Sequence, residues 1–205
     1  MYTIQKDCRT EIVIEKSRFI CTLKKVGSEA DAQEFIKNTK KEFWDATHNC
    51  SAYIINGMQQ RSSDDGEPSG TAGVPMLEVL RKKELTGVAA VVTRYFGGIK
   101  LGAGGLVRAY TNSVANAVET AGLARRVEMT VFALSAPPGE AGRIMNKLYH
   151  QDIFTVRGAE YGESVQILLY MKRGRKEDAE AWLTAALNRS ITLDEVSTEF
   201  TEVPV

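Results

Sequence analysis

The sequence predicts an α+β protein of two domains, residues 1–125 and 126–205. Three observations predict it. A length of 205 residues allows two small domains. Residues 88–121, VAAVVTRYFGGIKLGAGGLVRAYTNSVANAVETA, read as a buried strand, a glycine loop and a long helix. Residues 128–200 fall into the succession βαββαβ, the ferredoxin-like split βαβ with two helices on one face of an antiparallel sheet.

In the first domain, residues 2–4 start an edge strand, and residues 10–14 and 18–24 form a β-hairpin around Glu15, Lys16 and Ser17. Ser28 is an N-cap with Asp31 three residues on, opening a helix that reaches Phe43 or Trp44. Residues 48–55, HNCSAYII, form a strand with His48, Cys50, Ala52 and Ile54 on one side. Residues 59–70, QQRSSDDGEPSG, hold no aliphatic side chain and read as a mobile surface loop. A helix follows over 71–83, with Pro75 in its first turn and Arg81, Lys82 and Lys83 suiting its C-terminal dipole. The central strand, loop and helix come next, and Gly122 ends that helix.

In the second domain, strands over 128–135, 153–160, 164–172 and 191–200 alternate with helices ending at Tyr149 and spanning 176–187. Its basic cluster Lys172, Arg173, Arg175 and Lys176 reads as a solvated turn. Net charge is zero overall, so no global field drives the chain to nucleic acid or membrane. Residues 1–127 carry 18 Lys and Arg against 14 Asp and Glu, which makes the first domain the face for any polyanion. Three cysteines without a CxxC pair, no leader and no membrane-length apolar run predict a cytoplasmic protein with no membrane partner.

The chemistry concentrates in TRYFGGIKLGAGG and the helix it opens. Glycines there mean positive φ or close backbone approach. Unpaired N–H groups at a helix start, set among cations, make an anion site. Its residues are Arg94, Gly97, Gly98, Lys100, Gly102, Gly105 and Arg108. The GxxxxGK[ST] pattern is absent, so nucleotide hydrolysis has no motif. Asp64, Asp65 and Glu67 form an interaction arm or a lid over the glycine site. They do not match the Ca²⁺-loop pattern, and no metal or cofactor is assigned. His48 and Cys50 share a strand face, but i and i+2 positions suit direct proton transfer poorly. A buried thiol beside a hydrogen-bonded imidazole is the expectation.

TRYFGGIKLGAGGLVRAY, with DDGEPSGTAGVPML upstream, closely resembles the signature of the IMPACT family, and the length resembles its bacterial two-domain type. The resemblance implies a first domain like the second domain of ribosomal protein S5. It implies a ferredoxin-like second domain similar to the last domain of elongation factor G. Eukaryotic relatives restrain a stress kinase that phosphorylates an initiation factor, by competing for that kinase's activator. The expectation is a non-catalytic, translation-associated regulator that binds RNA, the ribosome or a translation-linked protein through the basic glycine face. The alternative is an enzyme or sensor for a phosphorylated small molecule or nucleotide.

Overall fold

In the computed structural model the chain is α+β, with five helices and two sheets. The structure describes residues 1–172 and 174–204. Two compact units divide it: Met1–Arg126 with the residues from Glu202 onward, and Val127–Thr201.

The first unit begins with β1 (Tyr2–Ile4), β2 (Cys8–Ile14) and β3 (Ser17–Lys25). Two residues, Glu15 and Lys16, both at positive φ, join β2 to β3. That is the twist a two-residue hairpin turn requires. Helix α1 (Glu29–Glu42) follows, and the Ser28 hydroxyl accepts the Asp31 N–H as the expected cap. Next come β4 (His48–Ile54), β5 (Gln60–Ser63), α2 (Gly73–Lys82), β6 (Val88–Tyr95) and α3 (Gly102–Ala121). The antiparallel sheet runs β2-β3-β6-β4-β5. Its central strand β6 is buried along both faces over Val88–Val92, as that unbroken apolar run predicts, and the burial continues through Thr93 and Arg94.

Period-2 alternation decides what each face of the sheet carries. Cys50, Ala52, Ile54, Val88, Ala90 and Val92 pack against α2 and α3. Tyr53, Ile55, Ala89 and Val91 pack against Ala32 and Phe35 of α1. Strand β1 pairs with the start of β7 (Leu123–Ala136), Tyr2 opposite Arg125.

The second unit comprises the rest of β7, α4 (Pro138–Leu148), β8 (Thr155–Tyr161), β9 (Val165–Lys172), α5 (Lys176–Leu187) and, as far as Thr201, β10 (Asp194–Pro204). Its elements follow the expected βαββαβ succession, with strand order β8-β9-β7-β10. Ile144, Leu148, Ala179 and Leu183 of the two helices close over Phe132, Leu134, Ile167 and Leu169. Of the basic cluster here, Arg173 lies outside the described residues. Arg175 and Lys176 form ion pairs along α5 with Asp178 and Glu180.

The 59–70 segment departs from its expected reading as a mobile loop. Gln60–Ser63 is an edge strand paired with β4 through backbone hydrogen bonds. Backbone pairing needs no aliphatic side chain, so hydropathy does not reveal it. Beyond it, Asp64 accepts the backbone N–H groups of Gly70, Ala72 and Gly73 and so caps α2 from outside.

Gly97 is present for close packing. A Cβ there would stand 2.0 Å from the carbonyl carbon of Lys16, against the β2–β3 turn. Gly97→Ala is expected to destabilise the fold by about 1–3 kcal/mol or more through overpacking. Gly142→Ala, exposed in α4 with open space around it, should stabilise by about 0.5–1 kcal/mol. Urea denaturation midpoints of the two variants check the contrast.

Candidate functional site

Four elements bring polar side chains together at one end of the first unit's sheet. Arg94 comes from the end of β6, His48 and Cys50 from β4, Glu67 from the β5–α2 connection and Tyr110 from α3. Glu67 Oε1 accepts from Arg94 Nη1 at 2.7 Å and from the Tyr110 hydroxyl at 2.7 Å. Both partners of the ion pair are deeply buried, with side chains 6% and 3% exposed. The guanidinium lies 5.3 Å from the Phe19 ring centre and 5.5 Å from that of Phe96. Its Nη2 reaches Ser17 Oγ at 3.4 Å, and Ser17 Oγ also accepts the Gly97 N–H. Among the described residues Arg94 Nε is buried without a hydrogen-bond partner.

His48 Nδ1 stands 2.8 Å from the carbonyl oxygen of Asp65. A carbonyl only accepts, so Nδ1 carries the proton and the neutral ring keeps its lone pair on Nε2. That atom lies 3.8 Å from Glu67 Oε2. Cys50 Sγ lies 3.0 Å from the Asp64 carbonyl and 3.3 Å from the Tyr110 hydroxyl. Burial pushes its thiol up to about 12, while the Tyr110 hydrogen bond pulls the other way. It is a packed thiol, and its burial disfavours the thiolate that a nucleophile needs. Burial, with Cys50 and Glu67 alongside, also pushes the Tyr110 hydroxyl up, and it stays a donor.

Beside this network opens a cleft of about 470 Å³, lined by His48, Glu67, Arg94, Phe96, Lys100 and the first turns of α3 among others. Helix α3 begins without a side-chain cap, since Leu101 has no oxygen to offer, and its first turn holds no acid. Its first N–H groups therefore stay open to a ligand or water. Gly102, at φ +69°, allows the chain to enter the helix there.

The predicted anion residues separate into two groups. Lys100, Gly102 and Arg108 are exposed at the helix start, with Gly105 half-buried beside them and Gly98 exposed in the loop. Arg94 and Gly97 serve the interior. Arg94 has its charge neutralised by Glu67, and Gly97 abuts the hairpin turn. The three acids expected as an interaction arm are engaged as well. Asp64 caps α2. Asp65 takes the Lys40 ammonium and the Asn49 N–H, and Glu67 is buried. Among the described residues no group of three or more His, Cys, Asp or Glu comes together to hold a metal. Tyr110 and Ser17 were not candidates. Tyr110 reads as one more position of an apolar helix stripe, and Ser17 as a turn residue.

Removing Glu67 leaves a buried, unpaired guanidinium. Glu67→Ala is expected to cost about 3–5 kcal/mol, and Glu67→Leu/Arg94→Met to recover most of it. Calorimetric melting checks both. Asp64 feels burial, which raises its pKa, but its three N–H donors outweigh that and hold it below the ordinary value. A lowered folded pKa gives stability above the unfolded value of about 3.9 and loses it as pH falls through the folded value. Asp64→Ala should therefore cost about 1–2 kcal/mol at neutral pH. The gap to the parent should close in acid, as followed by chemical denaturation across pH.

Residues 15–118 match the family model of the Impact N-terminal domain. The IMPACT family member YvyE of Bacillus subtilis is 46% identical over 206 residues, covering 100% of this chain and 94% of that protein. The IMPACT family member YigZ of Escherichia coli is 41% identical over 125 residues, 59% of this chain and 61% of that one. A crystal structure of a hypothetical protein, 30% identical, superposes with a TM-score of 0.61 over 96% of this chain and 97% of its own. Among the described residues no helix is long and apolar enough to cross a membrane. The chain belongs to the IMPACT family.

Proposed function

We propose that the chain is a translation-associated regulator that works by binding, its first unit holding a phosphate-bearing partner, RNA or the ribosomal surface, at the amino end of α3. The observation that carries the reading is the uncapped start of a 20-residue helix, free of acids in its first turn, opening into a cleft with Lys100. A phosphate oxygen there gains backbone N–H donors, the positive end of the helix dipole and an ammonium. Arg94 contributes through the cleft wall, where its Nε lacks a partner, and not as a free surface charge. Exposed Phe96 gives a base or sugar an apolar surface beside the phosphate position. The family's implied role in translational control supports the same reading, and the proposal includes a cytoplasmic setting. A translation-linked protein with an anionic segment is the partner if nucleic acid is not.

A second reading, an enzyme or sensor for a phosphorylated small molecule or nucleotide, is favoured by His48. Its Nε2 lone pair borders the cleft and can accept a proton from a bound hydroxyl or water. Equilibrium dialysis against ATP, GTP and phosphosugars tests this reading, and no binding at millimolar ligand removes it.

For the first reading, the test is sedimentation with ribosomes across a salt series, with Lys100→Glu/Arg108→Glu as the variant. Arg94→Glu is unsuitable because it puts a second carboxylate against buried Glu67. Co-sedimentation should weaken steadily with salt and fall at least tenfold in the variant. Unchanged binding by the variant would place the contact elsewhere.

A further inference from the structure

A second groove lies on the other face of the same sheet, between α1 and the strands β4 and β5. Its volume is about 680 Å³, the larger of the two described here. Lys37, Lys40, Lys41 and Trp44 line it from the helix side. Their spacing of i, i+3, i+4 and i+7 puts them on one stripe of α1 and the turn that follows it. Arg61 and Ser63 line it from β5. They stand opposite Tyr53 and Ser51 of β4, which fixes them on the α1 side.

The lining holds four cations and no carboxylate. Lys40 is tied to Asp65. Lys37, Lys41 and Arg61 form no salt bridge among the described residues, and Lys37, Lys41 and Arg61 are exposed. Lysines in the last turn suit the helix dipole and need no ligand for that. The dipole does not account for Arg61, which comes from a strand. Nor does it account for Trp44, a large apolar ring left 82% exposed at the mouth of the groove. The Trp44 ring stands at the end of a row of cations, and Ser51 and Ser63, on the same sheet face as Tyr53 and Arg61, lie along the floor. Phosphates matched to cations, and a base matched to an aromatic face, are the pattern of single-strand nucleic-acid recognition. Hydroxyls within the groove offer partners for a ribose 2′-OH.

We propose that this groove binds single-stranded RNA, with the backbone along Lys37, Lys41 and Arg61 and one base stacked on Trp44. The groove shares no lining residue with the α3 cleft, and the proposal stands whether or not that cleft takes phosphate. A folded duplex is excluded by the stacking step, which needs an unpaired base.

The test is a fluorescence anisotropy titration of a fluorescein-labelled uridine dodecamer with the full chain, in a salt series. Variants are Trp44→Ala, Lys37→Glu/Lys41→Glu/Arg61→Glu and Lys100→Glu/Arg108→Glu. The altered groove side chains are exposed, and circular dichroism melts confirm that each variant folds. The parent should bind with a log–log salt slope of about −2, for three neutralised phosphates. Trp44→Ala should weaken binding about tenfold or more, and the triple charge reversal should weaken it at least as far. In the Lys100→Glu/Arg108→Glu background Trp44→Ala should still weaken binding about tenfold, which separates this groove from the cleft. Failure of the parent to bind at low salt and 100 µM protein overturns the proposal. So does binding that survives Trp44→Ala and the charge reversal but is lost with Lys100. Equal affinity for a thymidine dodecamer overturns the choice of RNA.

Discussion

A carboxylate and a guanidinium shut away from water need each other. Glu67 and Arg94 are that pair here, and much of the first unit is arranged around them. The pair joins the end of the central strand to the β5–α2 connection, and Tyr110 adds α3 through the same carboxylate oxygen. Buried pairs are seldom a net source of stability against apolar replacements, whereas breaking one is expensive. The pair therefore constrains more than it stabilises. It holds Pro68 and the following turn beside the start of α3, and so sets the wall of the cleft. The Phe19 and Phe96 rings both lie within cation–π distance of the guanidinium.

Much of the fold was legible in the residues because burial writes itself as periodicity. Val88–Val92 declared a strand covered on both faces, Ser28 declared a helix start, and the second unit's apolar spacing declared its order of elements. Gln60–Ser63 was illegible because an edge strand of polar residues carries no hydropathy signal, and its partner is set by the backbone of β4. The site was legible only in part. Glycines, cations and acids stood out by type, but burial decides whether a charge is a ligand contact or an internal tie. Arg94 and Glu67, 27 residues apart, showed nothing of their pairing in the sequence. Their neighbours Lys100 and Arg108 look the same in the sequence and lie exposed. The stripe of Lys37, Lys40, Lys41 and Trp44 had a readable signal, the i, i+3, i+4, i+7 spacing, which passes for ordinary C-terminal helix charge until Trp44 is seen exposed.

The two faces of this sheet suit different tasks. One face, under α2 and α3, ends in a cleft where helix geometry favours a single anionic group. The other, beside α1, has a larger cationic groove with an aromatic ring. Asp65 touches both: its carboxylate takes Lys40 of the groove, and its carbonyl takes His48 of the cleft.

Amide chemical-shift mapping of the ¹⁵N-labelled chain with a uridine dodecamer tests most directly whether the first unit is a nucleic-acid binder. The account predicts perturbations at the Trp44 indole N–H, the last turn of α1 and strand β5, with a second cluster over Gly102–Leu106 where phosphate meets the start of α3. Perturbations confined to residues 127–201, or none at saturating RNA, would contradict it.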